Sequence, residues 1–497
     1  MVLSLINEDW SKEMSVLESI DYHKIFTFFE EVSAVPRGSR YNDRISDYLV
    51  EFAKQRGLYV RQDEMKNVVI IKEASPGLED CPAVILQGHM DMVCLSESGC
   101  DHNFFEDGLK LFIEGDLIHA TGTTLGGDNG IAIAYALALL DSNEFRLPRL
   151  EVVITTDEEI GLLGATVLDT SELQAKYMLN LDSEEESSIL VGCAGGLTAI
   201  SKLPLEYEDK SGVELTIKVT GLLGGHSGID IINHRANATH LLARTLMELK
   251  KEYSFAVANM SGGTKDNAIP NESIAKLIVS NEEVGLIKDV LVKLEEKYKQ
   301  ELLASEPGFH LQVVEGTTCE KKCLTSATFQ KVILYILYQP NGIQAMSANI
   351  KGLVESSLNL GIFHMDEEIV TFSYSVRSSF ASYKKFMSDK LKEFTEFLGG
   401  TYQTMGEYPA WEYKPDSKLR DLMITLYRDH FDREPIIEAI HAGLECGILA
   451  DKMPGLDIVS IGPDMYDVHT PKERLSISST KRVFDYLVKI LEGITTL

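Results

Sequence analysis

Over the first 195 residues, short β-branched or apolar runs alternate with helical stretches, and this alternation constrains the fold more than any other feature. Val68–Lys72, Ala83–Gln87, Leu150–Thr156 and Tyr177–Leu181 each read as a buried strand. Asn129–Leu140, rich in alanine and leucine, reads as a helix packed on both sides. Strand, helix and strand at this spacing predict an α/β layer with a largely parallel sheet. Side chains that do chemistry gather at the C-terminal ends of such strands. The residues that follow these runs are therefore where a site is expected.

A chain of 497 residues exceeds what one hydrophobic core usually serves, so two or more domains are expected. After Gly195 and Gly196 the texture changes. Glu214–Val219 alternates as a strand, Asn233–Lys250 has helical spacing, and Ser254–Ala258 and Ser273–Val279 follow as strand candidates. A second set comprises helices at Val284–Leu302, Ala327–Leu337 and Tyr383–Leu398, with strands at Leu353–Phe363 and Glu368–Val376. Beyond Gly400 the α/β texture returns, with helical Ser417–Asp429 and Gly443–Asp451, the strand Leu456–Ile461, and a last helix running from about Ser476 to Glu492. The expected organisation is a catalytic α/β domain in two pieces, 1–197 and 401–497, split by an inserted α+β lid domain at 198–400.

The formal net charge of -29 opposes nucleic-acid phosphates and anionic lipid, so neither nucleic acid nor a membrane is an expected partner. The same charge suits a site that attracts cations. Met1–Trp10 carries Glu8 and Asp9 without a basic region and does not read as a signal peptide. Ile131–Leu140 and Val332–Tyr338, the longest apolar stretches, are too short to cross a bilayer. Seven scattered cysteines without a CxxC pair favour a reducing compartment over a disulfide framework, and the cytoplasm is the expected setting.

Five short segments carry the chemistry. Gly88-His89-Met90-Asp91 follows a strand, and in extended backbone His89 and Asp91 face the same side. Imidazole binds a metal through one nitrogen while a nearby carboxylate sets its tautomer; a satisfied strand-end histidine is the competing reading. Gly126-Gly127-Asp128-Asn129-Gly130 opens the alanine-rich helix, where Asp128 either caps the helix or holds cations. Thr155-Thr156-Asp157-Glu158-Glu159 ends a strand, and its adjacent glutamates can divide ligation from proton transfer. Asp182 follows the Tyr177–Leu181 run, and His469 sits in Asp467-Val468-His469-Thr470-Pro471. Two imidazoles with several carboxylates suit zinc, cobalt or manganese better than calcium. The absence of a thiolate from the set favours a catalytic over a structural metal. Gly126-Gly127-Asp128 also lacks the register and the lysine of the phosphate-binding glycine loops.

With GHMDMVC, GTTLGGDNGIA, TTDEEIGLLGA, LNLDSEE and DVHTPKE in this order, the sequence resembles the family of co-catalytic zinc dipeptidases, carboxypeptidases and amide deacylases over essentially its whole length. Within that family it is most similar to the bacterial branch that cleaves aminoacyl-histidines. The resemblance implies a zinc-peptidase-like three-layer catalytic domain with a mostly parallel sheet, split by an α+β lid. It implies two divalent metal ions per chain, zinc first, with manganese or cobalt as alternatives. Asp128 would bridge them, His89 and Asp182 would complete one site, and Glu159 and His469 the other. Glu158 would be the general base that activates a shared water, Asp91 would orient His89, and the peptide bond after Asp128 would be cis.

From the insertion, the resemblance implies that His226, in Gly224-Gly225-His226-Ser227-Gly228, stabilises the tetrahedral intermediate. Asn267 and Arg377 would meet the substrate's C-terminal end, where an arginine fork suits a carboxylate, and Gly443 would line the same place. Cys94 reads as structural, because the family uses water as nucleophile. The implied activity is hydrolysis of unblocked dipeptides, including those ending in histidine such as carnosine, by a homodimer. An aminopeptidase or an N-acyl amino acid deacylase of the same fold is the alternative.

Overall fold

The computed structural model describes residues 16–497 and forms two compact units. Met1–Trp10, read above for targeting signals, lies outside the described residues. The first unit runs to Gly192 and resumes at Tyr413–Glu438 and Leu444–Leu497. The second comprises Cys193–Glu412 and Ala439–Gly443.

An eight-stranded sheet forms the first unit, in the order Tyr59–Gln62, Val68–Lys72, Leu150–Thr155, Val84–His89, Tyr177–Asn180, Asp457–Ser460, Ser188–Cys193, Ile436–Ile440. Its four middle strands, from Leu150–Thr155 to Asp457–Ser460, are parallel. Tyr59–Gln62 pairs antiparallel with Val68–Lys72, Val68–Lys72 with Leu150–Thr155, and Ser188–Cys193 with Asp457–Ser460, so the sheet is mixed where the sequence predicts mostly parallel pairing. Connection length explains the difference. Tyr59–Gln62 and Val68–Lys72 are joined too tightly for a parallel crossover, whereas the helix Gly127–Asp141 supplies one between Val84–His89 and Leu150–Thr155.

Every residue of the four parallel strands is buried, as expected of a sheet covered on both faces. Gly127–Asp141 is likewise buried all round except at Asp128 and Asp141. Because the four strands run the same way, His89, Thr155, Asn180 and Ser460 end along one edge of the sheet. The last helix, Ile477–Ile494, starts where the sequence predicts, with the Ser476 side chain accepting from the Ser479 amide.

One antiparallel sheet of nine strands organises the second unit. Its order is His310–Leu324, Tyr207–Thr220, Ser273–Val279, Phe255–Gly262, Val354–Met365, Ile369–Ser378, Gly195–Pro204, Thr401–Tyr408, with Gly342–Met346 also paired to Val354–Met365. The two strand-rich sets seen in the sequence are therefore one sheet, joined where Ser261 pairs with His364 and Gly262 with Phe363. A single apolar core runs through both sets, from Leu215 and Leu246 to Phe372 and Leu391. His310–Leu324 and Thr401–Tyr408 escape the sequence reading because they are edge strands with mostly exposed side chains. Without a buried face they carry no apolar alternation.

Candidate metal centre

His89 is the last residue of its strand and is 1% exposed. Its amide donates to Asn129 Oδ1 (3.1 Å), and the Asn129 side-chain amide donates to the Leu181 carbonyl (2.8 Å). Asn129 thereby ties the ends of two parallel strands to the loop that carries Asp128. That loop departs from helical geometry at Asp128 and Asn129, and the peptide bond between them is cis. Gly126 has φ 64°, and a Cβ there would lie 2.4 Å from Arg37 Nη2, so only glycine fits.

Two triads share Asp128. His89 Nε2 lies 3.1 Å from Asp128 Oδ1 and 3.3 Å from Asp182 Oδ1. His469 Nε2 lies 3.1 Å from Asp128 Oδ2 and 3.0 Å from Glu159 Oε1. A third grouping of potential donors joins His89, Glu158 and Glu159, with ligand atoms within 4.8 Å of one another. Ligands about 2.0–2.2 Å from a zinc ion sit roughly 3–3.5 Å apart in tetrahedral or slightly compressed geometry. The imidazole–carboxylate spacings in both triads match that requirement. Two imidazoles with three carboxylates also suit borderline divalent cations, so the residues fit a pair of metal ions.

The local field points the same way. Burial pushes the Asp182 carboxyl up to about 6, against the pull of His89, and burial raises Glu158 well above the usual range. Burial also raises Glu184 to about 7, with Asp128 and Asp182 adding repulsion. The hydrogen bonds that it donates to Asp128 and Glu159 lift the His469 imidazole to about 11. Carboxylates at this density call for positive charge.

Asp91 is fully buried and has a wider task than orienting His89. Its carboxylate lies 3.5 Å from His89 Nδ1 and accepts from the Glu158 amide (3.0 Å), the Glu159 amide (3.4 Å) and Ser39 Oγ (2.8 Å). One carboxylate thus sets both the imidazole and the turn that carries the two glutamates. Asp157, at φ 53°, anchors that turn from the other side, accepting from the Arg40 amide and from Asn42 Nδ2.

Two further residues clamp the bridge loop, and the sequence reading names neither. Arg37, 1% exposed, donates to the carbonyls of Met90, Asp91 and Gly126. Glu473, 3% exposed, accepts from the amides of Leu125 (2.9 Å), Gly126 (3.0 Å) and Asp128 (3.3 Å). A signal for Glu473 exists, since it closes the DVHTPKE segment four residues after His469. Arg37 has no comparable local signal. Glu473→Ala strands three buried amides, and one such loss costs about 1–3 kcal/mol. Chelator competition should therefore show zinc held at least about tenfold more weakly; unchanged affinity would refute the clamp.

In the second unit, His226, Arg377 and His441 converge on Gly228, where a Cβ would lie 3.0 Å from the His226 ring, 3.2 Å from Arg377 Nε and 2.5 Å from the His441 carbonyl. His226 Nδ1 accepts from the amides of Gly228 (3.3 Å) and Ile229 (3.1 Å), so the neutral ring carries its proton on Nε2. Burial, then the nearby Arg377, holds His226 below its ordinary value and keeps it neutral. Arg377 Nη2 lies 3.5 Å from that Nε2–H. Two donors facing each other cannot bond together, and they share an acceptor only if an anionic or carbonyl oxygen enters.

Arg377 is itself buried, with Nη1 donating to Tyr408 Oη (2.8 Å) and Nε unpartnered. Gly443 packs where a Cβ would lie 2.6 Å from the Tyr408 ring, and His441, pushed down to about 3 by burial and then by Arg377, bonds Ser357 Oγ (2.7 Å). Asn267 joins through its backbone, its carbonyl accepting from the Ser227 amide (2.8 Å), and its side chain is exposed. Tyr408 and Ser357 are members of this cluster that the sequence reading does not name.

The model for peptidase family M20/M25/M40 matches residues 85–493, a span that contains every member of both triads. The chain belongs to peptidase family M20. This M20 peptidase is 35% identical over 484 residues to the cytosol non-specific dipeptidase of Escherichia coli (strain K12), covering 97% of this chain and 99% of that relative. Among solved structures it is similar to the aminoacylhistidine dipeptidase from Vibrio alginolyticus, with a TM-score of 0.89 at 33% identity over 96% of this chain and 99% of the other. Aminopeptidase PepT from Bacillus cereus shares the fold, with a TM-score of 0.54 at 15% identity, covering 96% of this chain and 99% of that one. The chain is a metallopeptidase that hydrolyses peptide bonds, with a candidate two-metal site in a catalytic unit and an inserted lid. Among the described residues, no helix is long and apolar enough to cross a membrane.

Proposed function

We propose that this M20 peptidase cleaves the single peptide bond of unblocked dipeptides, including those with C-terminal histidine such as carnosine, using two zinc ions. Manganese or cobalt would serve in place of zinc. The observation that carries the reading is that the two oxygens of Asp128 each meet a different histidine, at 3.1 Å. A carboxylate so placed would hold two cations, with His89 and Asp182 on one side and His469 and Glu159 on the other. The dipeptide preference draws further support from the full-length similarity to a cytosol non-specific dipeptidase and an aminoacylhistidine dipeptidase.

Paired divalent cations, when bound, supply a water that ionises near neutral pH and polarise the scissile carbonyl. The remaining steps belong to the chain. Glu158 accepts the proton of the attacking water and returns it to the leaving amine. Burial raises its carboxyl well above the usual range, which suits a group that must hold a proton between two steps. Asp91 keeps Glu158 and Glu159 in fixed relation through their backbone amides. His226 donates from Nε2 to the oxygen on which charge develops, and burial keeps its ring neutral for that task. Arg377, with Asn267 and Gly443 alongside, takes the substrate's C-terminal carboxylate. The guanidinium's neighbours are Tyr408 and His226, neither of them an anion, so it is free to accept one. A homodimer in the cytoplasm completes the reading, and seven scattered cysteines without a CxxC pair support a reducing compartment.

The test is a steady-state panel of free, N-acetylated and C-amidated dipeptides together with tripeptides, on enzyme reloaded with zinc or manganese. A lost charge-assisted hydrogen bond costs about 1.5–3 kcal/mol, so C-amidation should lower kcat/KM by roughly 10- to 150-fold. Arg377→Met should impose the same loss on the free dipeptide and erase the penalty for amidation. Equal rates on free and amidated substrates would remove Arg377 from carboxylate binding. Faster cleavage of tripeptides or N-acetyl substrates would replace the dipeptidase with an aminopeptidase or deacylase.

A further inference from the structure

Two residues before His89 and Asp182 in the chain, a row of buried polar side chains crosses the parallel sheet. Gln87, Asn180 and Ser460 occupy adjacent positions on three neighbouring strands, where Gln87 pairs with Asn180 and Asn180 with Ser460. Thr155 ends the fourth strand opposite His89. All four are 1% exposed or less. Parallel strands of a covered sheet normally carry apolar residues at such positions, and a buried polar row must satisfy itself internally.

Hydrogen-bond direction can be followed along the row. Ser460 Oγ donates to Asn180 Oδ1 (2.5 Å), so Ser183 Oγ, at 2.8 Å, is the donor to Ser460. Asn180 Nδ2 donates to Gln87 Oε1 (2.5 Å), and Gln87 Nε2 donates to Glu445 Oε2 (2.5 Å). Thr155 Oγ donates to the same Glu445 oxygen (2.6 Å). Gln87 Nε2 also reaches Thr155 Oγ1 (3.4 Å), and Thr155 Oγ1 also lies 3.2 Å from the Gly88 carbonyl; from Ser183 through Ser460, Asn180 and Gln87 the short bonds run in one direction and end on Glu445. That residue opens the helix Glu445–Lys452 and is 1% exposed, and its other oxygen has no partner. Burial pushes its carboxyl up to about 8, consistent with a neutral acid whose Oε2 remains an acceptor.

Side chains two apart on a strand share a face. Gln87 therefore lies under His89, and Asn180 ends its strand two residues before Asp182. We propose that Glu445 is a positioning residue: as the terminal acceptor of this one-way chain, it fixes the amide orientations of Gln87 and Asn180 and so the relative heights at which the strands present His89, Asp182 and the Glu158–Glu159 turn. Without that acceptor the Gln87 amide has a buried donor unmet. Turning the amide over only moves the mismatch to Asn180. The strain is relieved by shifting strand ends, and the triads need spacings held to a few tenths of an ångström.

The inference rests on the two-metal reading, and wild-type protein titrated in parallel tests that reading by itself. The experiment compares Glu445→Leu and Glu445→Gln in the full chain. It measures zinc affinity by chelator competition, cooperative melting of the metal-free protein, and kcat and KM at saturating zinc. Glu445→Leu is expected to weaken zinc binding at least tenfold and lower kcat 10- to 100-fold, with KM changed less than threefold. Glu445→Gln keeps an acceptor in place and should hold zinc affinity and kcat within threefold of wild type. A cooperatively melting Glu445→Leu protein with unchanged zinc affinity would overturn the proposal. So would a Glu445→Gln protein as impaired as the leucine variant, since charge and not the acceptor would then matter. Should Glu445→Leu fail to fold, Thr155→Val removes one donor to the same oxygen at constant shape. A three- to tenfold weaker zinc affinity is expected from it, and no change overturns the proposal equally.

Discussion

Replacing Glu158 with alanine is expected to leave a protein that holds two metal ions per chain and turns over dipeptides about 10³-fold more slowly. The reasoning starts from how the acids divide. Asp128, Asp182 and Glu159 each lie within 3.3 Å of an imidazole nitrogen, in the geometry of two adjoining coordination shells. Glu158 stands outside both triads, though beside them. Its backbone is pinned by Asp91, and burial raises its carboxyl. A buried carboxylate next to, but not within, the ligand set is placed to move a proton, and general acid–base groups contribute roughly 10²–10⁴-fold. Metal content by elemental analysis, read beside kcat, separates the possibilities. Two metals with lost turnover supports the base. One metal per chain would make Glu158 a ligand through its grouping with His89 and Glu159, and undiminished turnover would remove it from the reaction.

Converting Asp128 to asparagine should have an effect at least as large, by a different route. Two divalent cations about 3.5–4 Å apart repel by roughly 15–20 kcal/mol at an effective dielectric of 20. Only a group that touches both can offset that repulsion for both at once. Asparagine keeps the shape of the side chain but offers a single neutral oxygen, so one triad loses its shared ligand entirely. Metal content should fall from two to one per chain at micromolar zinc, and kcat should drop by more than about 10³-fold. Titration of the metal-free variant by chelator competition would show a single site. Two sites of wild-type affinity would mean that Asp128 is not the bridge.

The strand-end segments were legible because the signals that mark them are local. A buried strand announces itself over five or six residues, and parallel strands in an α/β layer present their C-terminal ends together. His89 and Asp182 could be nominated as candidates on that basis, and Glu158 and Glu159 as a pair, with the division between ligand and base coming only from the family resemblance. Edge strands were harder. His310–Leu324 and Thr401–Tyr408 have little buried face, and polar periodicity does not distinguish them from loops. Joining the two strand-rich sets into one sheet depends on two residue pairs, Ser261 with His364 and Gly262 with Phe363, which nothing in either segment announces.

The sequence by itself determined the chemical inventory: two histidines and a set of carboxylates at strand ends and one helix entrance, a fold class, and an ordered set of motifs that marks the family. It could do so because strand periodicity, glycine-rich turns and acid pairs are short-range properties of a chain. Only the tertiary structure decided what each oxygen faces. Asp128 meets His469 across 341 residues of sequence, Glu473 reaches the Asp128 amide across 345, and Glu445 receives Gln87 across 358. Arg37 closes over the Gly126 loop without a local motif to announce it. Hydrogen bonds and ligand spacings depend on angles and tenths of an ångström, and those are properties of packed strand ends rather than of neighbouring residues in the chain.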